Sequence, residues 1–433
     1  MASISTAPNI SSSPTSSPTN TSAPLTAMMA LMFIIGFLTC LNDILVPHLK
    51  EVFDLNYTQV MFIQFTFFSA YFVMSLPSGW FISRFGYKKG ILAGLATSTC
   101  GALLFYPAAA LPSYPLFLFG LFTLASGFTL LQVAVNPYAS ALGKPETAPS
   151  RLTLTQAFNS LGTTIAPRLG GAIILPPAIL AAAEFAKLSE AQQISYRITQ
   201  ASSVQLPYVI FAGVLVLLFI AIALFKLPVI SSVDSEEARN TTISEALKVK
   251  RLRYGVLGIF CYVGAEVAIG SLLINFILHL RIFPGMTDAE AAIDAAKFVS
   301  FYWGGAMIGR FVGSALLART PQGVLLGIHA LAASLLVAIA IFTGGAVAMW
   351  ALILVGYCNS IMFPNIFTLA IKDLGILTNR GGSVLTMAIV GGAVIPLAQG
   401  ALIDVWGFQP SYILPLLCYA YIVFFAFKGW KEA

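Results

Sequence analysis

Only 9% of the 433 residues are charged, so a carboxylate or carboxamide inside a long apolar run needs an explanation. Placing an ionised side chain at the centre of hydrocarbon costs about 2.5–3.5 kcal/mol on insertion scales. Each such group therefore needs a partner or a task. Asp43 is the first charged residue of the chain and follows Asn42, one turn before Pro47. A carboxylate there suits binding and release of a proton, or coordination of sodium together with Asn42 and backbone oxygens. The plainer alternative is a helix-end carboxylate solvated by water. Glu266 lies near the centre of another apolar run, with Asn275 farther along, and Arg310 is a candidate partner. The place of Arg310 toward one end of its run favours a gate contact or a lipid headgroup instead.

The amides pair at helical spacing. Gln132 and Asn136 are four apart, and Gln156 and Asn159 are three apart, so each pair shares a helix face. A carboxamide donates and accepts at once, as a sugar hydroxyl does, so a ring of amides would cradle a hexose. Interhelical hydrogen bonding that only joins helices is the alternative, and it weighs most at Asn136, beside Pro137. Asn359 and Asn365 place amides on both sides of Pro364. Trp303, next to Tyr302, is a weaker candidate for stacking on an apolar sugar face. Arg168 points away from Gln156 and Asn159 by helical geometry and is expected to face a neighbouring helix or lipid.

The elements that must position these groups are membrane helices. With 58% hydrophobic residues, far fewer charges than the roughly 25% of soluble domains, the chain suits a lipid-facing surface. The apolar runs are long and continuous, without the period-two alternation of barrel strands. They predict twelve helices near 28–46, 58–81, 89–109, 114–142, 152–176, 206–226, 254–279, 298–318, 322–343, 347–371, 383–404 and 411–428. Sixteen Lys and Arg fall on the side of the N-terminus and five on the other, so both termini are expected in the cytoplasm. The net charge of +6 is spread over short loops and does not indicate nucleic acid. Cys40, Cys100, Cys261, Cys358 and Cys418 lie in apolar stretches without paired spacing and read as packing residues. No metal or cofactor is expected.

Residues 1–24, rich in Ser, Thr and Pro, read as a disordered tail. The stretch 228–253 is polar, acidic first and basic later, and separates six-helix halves at 25–227 and 254–433. Its Ser-Glu-Ala-Leu pattern predicts a short amphipathic helix. The halves share a pattern. Gly162, Pro167 and Gly171 in the fifth span match Gly391, Pro396 and Gly400 in the eleventh, and the fourth and tenth are expected to break at Asn136-Pro137 and Pro364-Asn365. Two related bundles with a midplane site between them are the architecture of alternating access.

Seven blocks carry a resemblance. They are LNDILVPHLK at 41–50, LQVAVNPYASALG at 131–143, RLTLTQAFNSLGTTIAP at 151–167, YVGAEVAIGS at 262–271, YWGGAMIGRFVGSALL at 302–317, NSIMFPNIFTLAIK at 359–372 and MAIVGGAVIPLAQG at 387–400. In order, they resemble the fucose–proton symporter and glucose/galactose permease group of the major facilitator superfamily. The resemblance implies an all-α integral membrane protein, with two pseudo-symmetric six-helix bundles and cation-coupled sugar uptake. It also implies a proton-coupling role for the carboxylate at Asp43 and a sugar-binding role for Gln156 and Asn159. The chain departs from the group at Gln132, where fucose symporters carry a titratable Glu, and this tilts the reading toward glucose or galactose. It also departs in GWFISRFGYKKG at 79–90, where Ser83 and Tyr87 replace the superfamily's Asp and first basic residue.

The sequence reading is therefore a transporter that imports a hexose with a proton or sodium. Asp43 and Glu266 couple the cation. Asn42, Gln132, Asn136, Gln156, Asn159, Glu266, Asn275, Trp303, Asn359 and Asn365 form the solute site. Fucose and N-acetylglucosamine are the rival sugars, and a non-transporting sugar sensor is the rival class. The partners are a small-molecule sugar and the lipid bilayer, in the cell inner membrane, with one chain sufficient for function. HExxH, GxSxG and clustered histidines are absent, which argues against an intramembrane enzyme.

Overall fold

The computed structural model describes residues 22–52, 57–110, 113–174, 205–228, 241–283 and 288–431, with the short pieces 188–189, 192–193, 195–196 and 285–286. Side chains are described for these residues except 41–62, 64, 167–174, 288–290, 292 and 293. In chain order the helices are α1 (Ser22–Val52), α2 (Tyr57–Phe85), α3 (Tyr87–Ala110), α4 (Tyr114–Ala141), α5 (Ala148–Ile174) and α6 (Gln205–Leu224). They continue with α7 (Ile243–Lys248), α8 (Lys250–His279), α9 (Asp288–Leu317), α10 (Gln322–Phe342), α11 (Gly345–Asn359) and α12 (Met362–Ile371). The last are α13 (Thr378–Met387), α14 (Gly391–Trp406), α15 (Phe408–Ser411) and α16 (Ile413–Phe427). Helices satisfy every backbone polar group within one segment, which hydrocarbon requires.

Joined pairwise, α11 with α12, α13 with α14 and α15 with α16 complete twelve spans. Ten helical segments among the described residues are long and apolar enough to cross a bilayer. The two spans outside that set are α5 and α9. Their polarity is informative, because α5 carries Gln156 and Asn159 while α9 carries Arg310.

The expected breaks at proline fall differently. Helix α4 runs through Pro137 to Ala141 without interruption. Proline removes one hydrogen bond, here the one that residue 137 would have given to the Val133 carbonyl, and the helix continues for another turn past it. The tenth span does break, but at Ser360 and Ile361. Pro364 then sits in the first turn of α12, where its missing N–H would have had no intrahelical partner anyway. The predicted short helix of the central polar stretch is α7. Thr242 and Glu245 form a reciprocal capping box at its start, and Ala246 is buried while Ser244, Glu245 and Lys248 face out.

Two large buried apolar clusters organise most of the interior among the described residues. One draws on α1–α6. The other draws on α7–α16 and also takes in Tyr71 and Leu152 from the first half. Each half brings its glycine motif to a matching crossing. A Cβ on Gly162 of α5 would lie 2.2 Å from the carbonyl oxygen of Phe33 on α1. A Cβ on Gly391, at the start of α14, would lie 2.1 Å from the carbonyl oxygen of Phe260 on α8. Only glycine permits backbones that close, and the two crossings occupy equivalent ranks in their halves. The sequence repeat is thus a structural repeat.

The halves meet through α5 on α9 and α2 on α13. A cavity of about 640 Å³ collects the loops near Gly143–Glu146, Thr320–Gln322 and Lys372–Gly375 on one side of the protein. This is the basic side defined by the Lys and Arg distribution. Ser150 and Ser314 close the halves on each other there, with Ser150 Oγ donating to the Ser314 carbonyl at 2.7 Å and Ser314 Oγ donating to the Ser150 carbonyl at 2.9 Å. Gly79 of α2 packs against Ser383 of α13 so tightly that a Cβ would overlap the serine Oγ.

Candidate functional site

A cavity of about 130 Å³ lies between the halves. Gln132 of α4 and Gln156 and Asn159 of α5 line it from the first half. Tyr262, Val263, Glu266, Arg310, Phe363, Pro364 and Ile389 line it from the second. It is smaller than the roughly 300–1,000 Å³ of usual ligand pockets, so in this arrangement the halves are drawn together around it.

The amides of the first half form a directed chain. Gln156 Nε2 donates to Asn136 Oδ1 at 3.0 Å, Asn136 Nδ2 to Gln132 Oε1 at 3.5 Å, and Gln132 Nε2 to the Tyr71 hydroxyl at 3.2 Å. Each amide is oriented by the next, and Asn136 is fully buried behind the lining. At the cavity end, the carbonyl oxygen of Gln156 has no protein partner among the described residues and can accept from a solute. Asn159 Nδ2 donates to the Met32 carbonyl at 3.0 Å, which ties α5 to α1 and leaves its carbonyl oxygen for the cavity. The reason α1 and α5 come this close is Gly36, whose Cβ would collide with the Asn159 backbone oxygen at 2.1 Å.

The opposite wall is ionic. Arg310 Nη2 stands 3.5 Å from Glu266 Oε1, with both side chains nearly buried. The guanidinium also donates from Nε to the Ser360 carbonyl at 3.3 Å, and from Nη1 to Ser160 Oγ across the interface. Arg310 is therefore both a partner of Glu266 and an inter-bundle contact, and it does not reach lipid headgroups. Behind Glu266 stands a second polar cluster. The Tyr302 hydroxyl donates to the Glu266 carbonyl at 3.0 Å and accepts from Asn359 Nδ2 at 2.9 Å, and the Tyr419 hydroxyl donates to Asn359 Oδ1 at 2.8 Å. These contacts fix the turn of α8 that carries the carboxylate.

The sequence-selected residues thus separate. Gln132, Gln156, Asn159 and Glu266 converge on the cavity, with Asn136 directly behind. Asn359 is buried in the tyrosine cluster and Asn365 bonds its own helix through the Ile361 carbonyl at 2.9 Å, so neither lines the cavity. Asn275 is exposed, about two and a half turns along α8 from Glu266. Trp303 is not brought in either. Its ring packs over Gly270 and edge-on to Tyr302, and 41% of the residue is exposed. One position separates it from Tyr302, and about 100° of helix rotation turns it outward. Asn42 and Asp43 lie on α1, and their side chains are outside the described set, as is that of Arg168. Tyr71, Tyr302, Tyr419 and Ser160 enter the site unselected by sequence reasoning. Their signal was weak, because a tyrosine or serine in an apolar helix is common packing material.

A twelve-span membrane protein with a polar midplane cavity between repeated bundles is the architecture of a solute carrier. The chain belongs to the Major Facilitator Superfamily, whose model matches residues 27–388. It is 47% identical to the glucose/galactose transporter of Brucella abortus over 408 residues, 94% of each chain. It is 36% identical to the L-fucose-proton symporter of Escherichia coli, over 92% of this chain and 91% of that one. Among solved structures, it superimposes with a TM-score of 0.87 on FucP, a major facilitator superfamily transporter in the outward conformation. That match has 35% identity and covers 94% of this chain and 98% of the other.

Proposed function

We propose that this protein imports a hexose of the glucose/galactose type, coupled to a cation gradient, by alternating access. The observation that carries the reading is the cavity in which Gln132, Gln156 and Asn159 face Glu266 and Arg310 across the junction of the halves. Amides that both donate and accept match a ring of hydroxyls. Similarity to a glucose/galactose transporter supports the sugar class, and similarity to an L-fucose-proton symporter supports a proton as coupling ion. Fucose is the sugar of that second relative, but Gln132 stands in place of the titratable group of fucose symporters. N-acetylglucosamine remains a rival of similar hydroxyl pattern.

In this reading, Asp43 and Glu266 are the cation-coupling carboxylates. The bundles at 25–227 and 254–433 rock about the cavity, tethered by 228–253. Both termini face the cytoplasm, the membrane is the cell inner membrane, and a single chain carries the whole pathway.

A panel of labelled sugars taken up into proteoliposomes, with a pH gradient and a sodium gradient imposed separately, tests the reading. Glucose or galactose should accumulate with one gradient, and failure of every sugar with both gradients overturns it. In the same vesicles, Asp43→Asn is expected to abolish accumulation while retaining exchange of internal for external sugar. Full accumulation by that variant removes Asp43 from coupling.

A further inference from the structure

From its three contacts, we infer that Arg310 is the arm through which the charge on Glu266 controls closure of the basic side. This rests on the reading that Glu266 takes up the coupling proton. Arg310 belongs to the second bundle, and its guanidinium is shared between the Glu266 carboxylate at 3.5 Å, the Ser360 carbonyl at 3.3 Å and the Ser160 hydroxyl of the first bundle. Ser160 lies one turn beyond Gln156 on α5, so the arm reaches the helix that supplies the cavity amides. Ser314 lies one turn beyond Arg310 on α9, and it makes the reciprocal contact with Ser150 on the basic side. Phe158 and Phe311 pack ring to ring between these points, with centroids 6.0 Å apart. Helices α5 and α9 are thus fastened from the cavity wall outward to the basic face.

The charge on Glu266 decides whether the fastening holds. While the carboxylate is anionic, it compensates a guanidinium that is otherwise nearly buried. The titratable groups around the carboxylate are Arg310 and Tyr302 from α9, Tyr262 from α8 and Tyr419 from α16. Of these, only Arg310 is a cation. When a proton neutralises Glu266, Arg310 is left with two neutral acceptors, and an uncompensated buried charge is strongly unfavourable. The relief is separation of α5 from α9, which lets water reach the guanidinium. Loading the carboxylate thereby favours opening of the basic side, and its deprotonation favours closure.

The test uses the full chain with its native cysteines replaced and a Ser150→Cys/Ser314→Cys pair. The two hydroxyl oxygens are 3.3 Å apart, so the thiols can form a disulfide only while the basic side is shut. Cross-linking by copper-phenanthroline needs neither sugar nor a gradient. It therefore reads the arm even if the transported solute is not a hexose, while the uptake panel tests the solute. Adding Glu266→Gln, the neutral mimic, should slow cross-linking about fivefold or more. Adding Arg310→Gln as well should bring the rate back up to that of Ser160→Ala, because no buried charge is then left alone while the tie to Ser160 is still missing. Ser160→Ala, which spares the ion pair and removes the far anchor, should also slow the reaction. It carries the test if the Glu266 variant does not purify as a monodisperse protein. A parent-like rate in Glu266→Gln or Ser160→Ala, or a double variant as slow as Glu266→Gln, overturns the inference.

Discussion

Gln156→Ala is expected to weaken sugar binding by about tenfold or more, and two losses combine to give that size. The carbonyl oxygen aimed into the cavity disappears as an acceptor. The substitution also strips Asn136 Oδ1 of its donor at 3.0 Å, and Asn136 is fully buried. A hydrogen bond between neutral groups contributes about 0.5–1.5 kcal/mol, and an abandoned buried acceptor costs about 1–3 kcal/mol. Part of the second cost falls on the empty protein and appears as reduced stability. The part that disorders Gln132 and Tyr71 along the amide chain appears in binding. Asn159→Ala should weaken binding too, with an added loss of the α1–α5 tie through Met32. Calorimetric titration of glucose and galactose into the purified variants measures both. Wild-type affinity in both variants would place the solute elsewhere.

Arg310→Met is expected to have the largest effect on stability. It leaves Glu266 as a nearly buried carboxylate facing Tyr262, Val263 and Phe363 without a countercharge. Removing one member of a buried pair typically costs about 3–5 kcal/mol, whereas replacing both with apolar or neutral groups is often close to neutral. The melting temperature of Arg310→Met in detergent should therefore fall clearly, and Glu266→Gln in the same chain should restore most of it. The double variant should remain unable to accumulate sugar, because in the proposed mechanism Glu266 carries the coupling proton. A single variant that melts like the parent would mean that Glu266 is already neutral or solvated, and the ionic wall would lose its meaning.

The fold was legible because hydrocarbon imposes one solution on a long apolar run. Twelve spans follow from that, and the repeat follows from Gly162 and Gly391, which mark the same backbone crossing in each half. The breaks were less legible. A proline announces a missing N–H but not where the helix yields, and Pro364 proved to be the first-turn proline of a new helix and not the fracture itself. At the site, amides at three- and four-residue spacing were read correctly as sharing a face, and Gln132 and Gln156 meet through Asn136. Asn275, Asn359 and Asn365 show the limit of that logic. Polarity at membrane depth says that a partner exists, not whether it is solute, water or tyrosine. The tyrosine cluster behind Glu266 had no signature of its own, since Tyr302 and Tyr419 take on meaning only once α9 and α16 are packed against α8.

In the proposed mechanism, the buried amides and the ionic wall enclose a passage that water and sugar enter between two moving bundles. Val263 lines that passage without a polar contact of its own, so a Val263→Cys variant free of native cysteines reports on it with little disturbance. The most direct measurement is its rate of reaction with a membrane-impermeant maleimide in sealed vesicles, with and without saturating glucose or galactose. The thiol is expected to react from the aqueous phase, and several-fold more slowly in the presence of the transported sugar. A thiol that never reacts, or one whose rate ignores every sugar that the vesicles accumulate, would contradict the mechanism.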